Sequence, residues 1–286
     1  MTKTSQIEFT KMVASGNDFV IIDAMRYALC AMRWNDLVKK ICDRKYGVGA
    51  DGLLLLEKSK VADVRMRIFN ADGSEAEMCG NGARCVAYWQ SAKRKALSAK
   101  LKIETKAGII ESEVKGENVK IKLTVPKDMK VGIPIMVNSR VLKVNFINTG
   151  VPHTVIFVEG LEKIDVDGLG RIIRYHENFK PAGTNVNFVE VKGDNSIKVR
   201  TYERGVEAET LACGTGSVAS ALIAAHNLQP IASSDKTDVL TKSGEILKVY
   251  FNKIGDKFSD VWLEGKAKIV YEGRIATADG ADKDRR

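Results

Sequence analysis

The chain has 286 residues, of which 44% are hydrophobic and 28% charged, so disordered, collagen-like and coiled-coil classes are excluded and one large or two moderate domains are expected. The 45 Lys and Arg outnumber the 36 Asp and Glu for a net charge of +9, but they are spread along the chain beside acidic residues rather than gathered in a stripe, so nucleic acid is not an expected partner. The positive field mildly favours an anionic small substrate. No apolar run approaches the roughly 18 residues of a membrane span, and Met1 to Gln6 leads into polar sequence without an apolar h-region, so neither a membrane segment nor a secretory signal is expected. Five cysteines are an odd count in a long chain; a disulfide scaffold is excluded, and a reducing cytoplasm is the expected compartment.

In chain order, β-branched strands are predicted over 19–22, 53–56, 64–69, 119–123, 154–158, 187–191, 197–202 and 261–263, each bounded by Gly, Asn or Asp. Helices are predicted over about 34–45, 83–95, 169–176 and 217–226. The second and fourth are small or apolar nearly all round, and a helix without a charged face is buried on every side. Each is expected to run through the middle of a curled sheet. The tail, 276–286, reads as disordered.

The two halves repeat. A strand ending in Ile68-Phe69, a polar turn and Gly73-Ser74-Glu75 lead to Cys79-Gly80-Asn81-Gly82 and a buried helix. Thr201-Tyr202, a turn and Gly205-Val206-Glu207 lead to Cys213-Gly214-Thr215-Gly216 and another. Two blocks in the same order about half a chain apart argue for duplicated domains, 1–125 and 126–263, crossing at Val125-Pro126-Lys127-Asp128. A last strand near 264–275 is expected to complete the first.

A lone cysteine is most often a small buried hydrophobe, and that reading holds for Cys30, Cys42 and Cys85. Cys79 and Cys213 differ, because each precedes a glycine-rich helix start. There unpaired N–H groups and the helix dipole favour a thiolate and can also hold a carboxylate. If the two domains face each other, one sulfur can remove a proton from one side of a carbon while the other returns one to the opposite side. An α-amino acid whose carboxylate lies at the helix starts suits this chemistry, since the dipoles stabilise the carbanion. The inference is racemisation or epimerisation without a cofactor.

Other chemistries fare worse. No cysteine pair has zinc spacing and only His153, His176 and His226 are available, so no metal is expected. Cys-x-x-Cys is absent. Gly47-Val48-Gly49-Ala50-Asp51-Gly52 matches a dinucleotide fingerprint but follows a helix and precedes a strand, the reverse of the required order.

Ser15-Gly16-Asn17-Asp18-Phe19, Asn70-Ala71-Asp72-Gly73-Ser74, Cys79-Gly80-Asn81-Gly82-Ala83-Arg84, Pro152-His153, Gly183-Thr184-Asn185-Val186-Asn187-Phe188, Tyr202-Glu203-Arg204-Gly205 and Ala212-Cys213-Gly214-Thr215-Gly216 occur in this order. Together they resemble the diaminopimelate epimerase family from about Ile7 to Tyr271. The resemblance implies interconversion of LL- and meso-2,6-diaminopimelate on the route to lysine and peptidoglycan, no cofactor and a homodimer. It implies a mixed α/β (α+β) fold of two pseudo-symmetric domains, each a mostly antiparallel sheet curled round a central helix. Carried over by position, it makes Cys79 and Cys213 the acid/base thiols and sets Gly80, Asn81, Gly214 and Thr215 on the reacting carboxylate. Asn17, Asn70, Asn185, Glu203 and Arg204 would grip the substrate, with Arg204 on the distal carboxylate; His153 and Glu203 would adjust the thiols. The chain departs from the family at Val151, commonly Asn, and at Gly52, Gln in some members. Proline- and histidine-type racemases are the nearest alternative, and a non-catalytic amino-acid sensor of the same fold is an alternative of another class.

Overall fold

Two helices that lack a polar face have to be enclosed, and strands enclose them. The structure, a computed structural model, describes residues 6–27, 34–96, 98–193, 195–227 and 235–276. Cys30 and positions 277–286 of the expected tail lie outside the described residues. The chain forms two compact units, Met1–Val119 with Lys266–Arg286, and Lys120–Gly265.

In the first unit run β1 (Gln6–Ala14), β2 (Asn17–Asp23), α1 (Trp34–Cys42), β3 (Gly52–Glu57), β4 (Val64–Asn70), β5 (Glu75–Ala76), α2 (Gly80–Lys93), β6 (Ser98–Thr105) and β7 (Gly108–Lys115). The chain passes through β8 (Asn118–Lys122) into the second unit, which holds β9 (Lys127–Val137), β10 (Arg140–Asn148), β11 (Pro152–Phe157), α3 (Val166–Arg174), β12 (Asn185–Gly193), β13 (Ser196–Glu203), β14 (Ala208–Thr210) and α4 (Gly214–Asn227). It ends with β15 (Lys236–Leu240), β16 (Ile246–Ile254) and β17 (Lys257–Lys266), and β18 (Lys268–Ala276) returns to the first unit. The division falls within β8, and the Leu123 N–H donates to Val261 O at 2.9 Å inside the second unit. Residues 123–126, around the expected crossing, form the irregular stretch that joins β8 to β9.

One pairing scheme is used twice. β1 is antiparallel to β2, β2 parallel to β3, β3 antiparallel to β4, β4 parallel to β6, and β6 antiparallel to β7. The same series runs from β10 through β11, β12, β13 and β15 to β16. β18 flanks β1 antiparallel as β9 flanks β10. A parallel neighbour needs a crossover, and a helix supplies each: α1 and α3 for the first parallel step of each unit, α2 and α4 for the second.

The two helices of a unit sit on opposite faces of its sheet. Leu53, Leu54, Leu55 and Leu56 are all fully buried, because β3 is covered on both sides. Leu53 and Leu55 join Val38, Ile41 and Cys42 of α1, whereas Leu54 points to the other face, against Gly82 of α2. Each such leucine contributes about 1.5–3 kcal/mol. α2 packs on β1, β2, β4, β6, β7 and β18, and α4 on β10, β11, β12, β13, β15 and β16. Two buried serines of α4 are satisfied within the helix: Ser217 and Ser220 donate back to Cys213 O and Gly216 O at 2.9 and 2.8 Å.

Helix ends differ from expectation for local reasons. α1 stops at Cys42 rather than near Lys45, where the Asp43 carboxylate takes the N–H groups of Lys45 and Tyr46 at 2.7 Å. α3 starts earlier than 169 because Asp165 caps it through Gly168 N–H at 3.0 Å. α2 and α4 begin at Gly80 and Gly214, so the glycine-rich turns are themselves the first helical turns. No helix among the described residues is long and apolar enough to cross a membrane.

Candidate active site

The start of α2 is built around Cys79, its N-cap, whose Sγ accepts from Gly82 N–H at 3.4 Å. The N–H groups at Gly80 and Asn81 lie in the first turn, where helix geometry gives them no partner in the helix. The Asn81 side chain is buried and held at both ends: its Nδ2 donates to Asn17 Oδ1 at 2.7 Å, and its Oδ1 accepts from Arg84 Nη2 at 2.5 Å. Arg84 is completely buried and also donates to Ser15 Oγ at 2.7 Å, which ties the helix to the β1–β2 turn.

Asn17 is fixed in turn by Asp51, whose Oδ2 accepts from Asn17 Nδ2 at 3.0 Å. Arg44 bridges Asp51 and Asp18 at 2.7 and 2.8 Å, and buried Lys11 pairs with Asp18 at 2.7 Å. Burial would raise the Asp18 carboxyl, but the hydrogen bonds from Arg44 and Lys11 overcome this and hold it well below the usual range. The glycine-rich segment before β3 therefore works as a wrap round the end of α1, with Val48 and Gly49 N–H groups on Ile41 O, and delivers Asp51 beneath Asn17. Gly52 has no room for a side chain, since a Cβ there would collide with Phe69 O. Asn70 is exposed at the end of β4, donating to Ser74 Oγ at 3.0 Å across the following turn. Burial pushes the Cys42 thiol up to about 11, as suits an inert packing residue, and Cys85 is fully buried within α2.

The start of α4 has the same shape and different chemistry. Cys213 is buried, and its Sγ lies 3.6 Å from Thr215 Oγ1. His153 Nε2 lies 3.0 Å from that hydroxyl, and Thr149 Oγ1 donates to Thr215 O at 3.1 Å. His153 has no exposed surface; burial first, and the Arg204 charge second, push its imidazole down to about 3, so the ring is neutral near pH 7.

Asn185 is buried between two strands: its Nδ2 donates to Pro152 O at 2.9 Å and its Oδ1 accepts from Arg204 N–H at 2.8 Å. The Arg204 guanidinium donates to Ala182 O at 3.1 Å and has no carboxylate partner among the described residues. Burial raises the neighbouring Glu203 carboxyl. The structure thus joins Asn17 to Asn81 in the first unit, and His153 to Thr215 and Asn185 to Arg204 in the second. Asn70 is exposed, opposite Gly52 in the strand register and next to Ala71, whose N–H donates to Asp51 O at 3.2 Å.

Across the chain, the family model for diaminopimelate epimerase matches residues 9–129 and 145–270, taking in both cysteine turns. The chain belongs to the diaminopimelate epimerase family. Diaminopimelate epimerase of Aquifex aeolicus is 44% identical over 280 residues, covering 94% of this chain and 98% of the relative. That of Archaeoglobus fulgidus is 45% identical over 281 residues, covering 94% and 96%. Among solved structures, a Bacillus anthracis phenazine biosynthesis protein of the PhzF family superposes with TM-score 0.73 at 20% identity, covering 96% of this chain and all of that one. A hydroxyproline epimerase from Agrobacterium vitis gives 0.68 at 14%, covering 95% and 91%. These likenesses show the fold alone, the two-unit arrangement that the sequence reading expected.

Within this diaminopimelate epimerase fold, two groups at the helix starts escaped the sequence reading. Asp18, Arg44 and Asp51 are scattered along the chain, and only the fold brings them together. Asn187 left a signal: with Asn185 it lies on one face of an otherwise apolar, fully buried strand segment, where polar residues at alternate positions need a reason.

Proposed function

We propose that the protein interconverts LL- and meso-2,6-diaminopimelate without a cofactor, one cysteine removing the α-proton and the other returning a proton to the opposite face. The observation that carries the reading is the repeated turn: a cysteine directly before a buried helix that opens Gly-x-Gly, once in each unit of a family member. One thiolate takes the proton and becomes a thiol. The electron pair left on the α-carbon is stabilised by the substrate carboxylate, held by the N–H groups of Gly80, Asn81, Gly214 and Thr215. The second thiol protonates the carbanion and becomes the thiolate.

Asn17, Asn70 and Asn185 grip the substrate, and a backbone carbonyl of Glu203-Arg204 takes the distal amine. Arg204 takes the distal carboxylate; its lack of a carboxylate partner among the described residues, and the Asn185 clamp on its backbone, favour that role. Glu203 and His153 adjust the thiols. The enzyme works as a homodimer in the cytoplasm, a reading that rests on its family.

The test is incubation with LL-diaminopimelate in deuterated water, with L-lysine as a parallel substrate. Deuterium should enter the α-position as the meso isomer forms, while lysine, which lacks the distal carboxylate, should neither exchange nor racemise at a comparable rate. Equal turnover of lysine would identify a general racemase instead, and no exchange with either would overturn the reading.

A further inference from the structure

Asn187 touches neither cysteine turn by sequence, yet it stands at the end of a buried chain of polar contacts that reaches Cys213. Its Nδ2 lies 3.0 Å from Thr154 O and 3.2 Å from His153 Nδ1, and its Oδ1 accepts from Thr201 Oγ1 at 3.0 Å. All four residues are buried. A backbone carbonyl can only accept, so the Asn187 atom facing Thr154 must be the NH2 group. That same NH2 faces His153 Nδ1, which must therefore be the acceptor. A neutral imidazole that accepts at Nδ1 carries its proton on Nε2, and Nε2 donates to Thr215 Oγ1. With one lone pair engaged by the imidazole, the Thr215 hydroxyl keeps its own hydrogen for the neighbouring sulfur of Cys213.

We infer that Asn187 is a positioning residue for Cys213: by locking the His153 tautomer it turns the Thr215 hydroxyl into a donor to the Cys213 sulfur, favouring the thiolate. In the opposite tautomer Thr215 would donate to Nε2, leaving its oxygen to accept from the thiol, and the chain would favour the protonated sulfur. Burial and the Arg204 charge keep the ring neutral, so one tautomer or the other is always in place.

The fold itself does not require this polarity. Strand register makes His153, opposite Asn185, the counterpart of Phe19, opposite Gly52; two residues further along the partner strands, Asn187 is the counterpart of Leu54. The first unit fills the same two places with Phe19 and Leu54, both buried. Space is reserved for Asn187 as well, since a Cβ on Gly216 would collide with its Oδ1.

The inference rests on the reading of Cys213 as an acid/base thiol, and its test needs no turnover. In protein labelled with 15N-histidine, which has three histidines, the His153 resonances should report a bare Nδ1 and a protonated Nε2 from pH 6 to 9. In a Cys79→Ala background, the pH profile of Cys213 alkylation, read from its peptide, reports the thiolate. Asn187→Leu, which places the first unit's residue in its counterpart, should release the tautomer and move that profile up by about one pH unit, the worth of one hydrogen bond to a charged sulfur. Thr215→Val should move it equally, and Thr215→Ser should restore it. A protonated Nδ1 in the unmutated protein would overturn the inference, as would an unmoved profile in Asn187→Leu. Should that variant fail to fold, the unmutated spectrum and the Thr215 pair decide alone. A protein inactive on diaminopimelate but with these spectra would refute the proposed substrate and leave the relay standing.

Discussion

The two helix starts are the same backbone device supported by opposite kinds of chemistry. At α2 the residue two places after the cysteine is Asn81, held by the buried cation Arg84; at α4 the corresponding residues are Thr215 and Val218, and the support comes from neutral His153. At the two places that His153 and Asn187 fill in the second unit's hydrogen-bonded chain, the first unit has the apolar Phe19 and Leu54. Duplication kept the cysteine, the glycines and the first-turn N–H groups on which the proposed reaction draws. It let the side-chain support diverge. Arg84 stays charged at every accessible pH, whereas the support at α4 depends on the state of one imidazole. If the two thiols alternate between acid and base as proposed, they do so in unlike electrostatic settings.

The hardest break of this comparison is to remove each sulfur in turn. A serine hydroxyl is a far weaker base than a thiolate, so Cys79→Ser and Cys213→Ser should each lower epimerisation by orders of magnitude. The remaining thiolate still takes the proton it faces. With a substrate bearing a β-leaving group, each single variant should eliminate from one stereoisomer only, and the two variants should prefer opposite isomers. Chiral chromatography of the unreacted substrate checks this. A shared preference would end the two-base assignment.

A smaller effect is expected from the cation peculiar to the first unit. Arg84 spans Ser15 Oγ and Asn81 Oδ1 from Nη2 and reaches Lys266 O from Nη1 at 3.5 Å. Lysine in its place keeps the charge but cannot reproduce the fork. Arg84→Lys should therefore loosen Asn81 and raise KM for diaminopimelate about tenfold or more. It should destabilise the protein by about 1–3 kcal/mol for the buried groups left unpaired. Val218→Ala, the matching position in α4, should leave KM within a factor of about two, since no polar contact depends on it. Steady-state kinetics with a chemical denaturation curve separates the two effects.

Sequence made the repeated cysteine turns, the two enclosed helices and the family plain, because each is written in contiguous residues. The approximate helix ranges begin at Ala83 and Ser217, three residues late, whereas the motif reading, a glycine-rich helix start directly after each cysteine, agrees with starts at Gly80 and Gly214. The supports were not legible. Asp18, Arg44, Asp51 and Lys11 form one network only after β2, α1 and β3 are packed. Asn70 ends its strand and bonds to Ser74 Oγ, local contacts that by themselves give no hint of a binding role. Asn185 reaches beyond its own turn, since it clamps the backbone of Arg204.

The smallest effect is also the finest test of the contrast between the units, because each carries a perturbed group with its own pH window. His153 has its ordinary pKa of 6.5 when unfolded and about 3 when folded, so between those values the unfolded chain binds the extra proton. Its contribution to stability is complete above pH 6.5 and is lost as pH falls through that window, at no more than about 1.4 kcal/mol per pH unit. Glu203 has the opposite sign: burial raises its carboxyl, so its contribution is present below the ordinary value of 4.5 and lost as pH rises. Asp18 in the first unit is held low, so its contribution is present above its ordinary 3.8 and fails only below that. From pH 7 to 4.5, then, the acid sensitivity belongs to the second unit. Denaturant unfolding at half-unit pH steps should give His153→Gln a flatter slope than the unmutated protein, Glu203→Gln a steeper one, and Asp18→Asn the same slope until pH falls below about 4. Amide exchange should locate the first openings at pH 5 around α4 rather than α2. Equal slopes in the unmutated protein and His153→Gln would mean that the imidazole is protonated in the folded state, and the contrast between a charged and a neutral support would have to be abandoned.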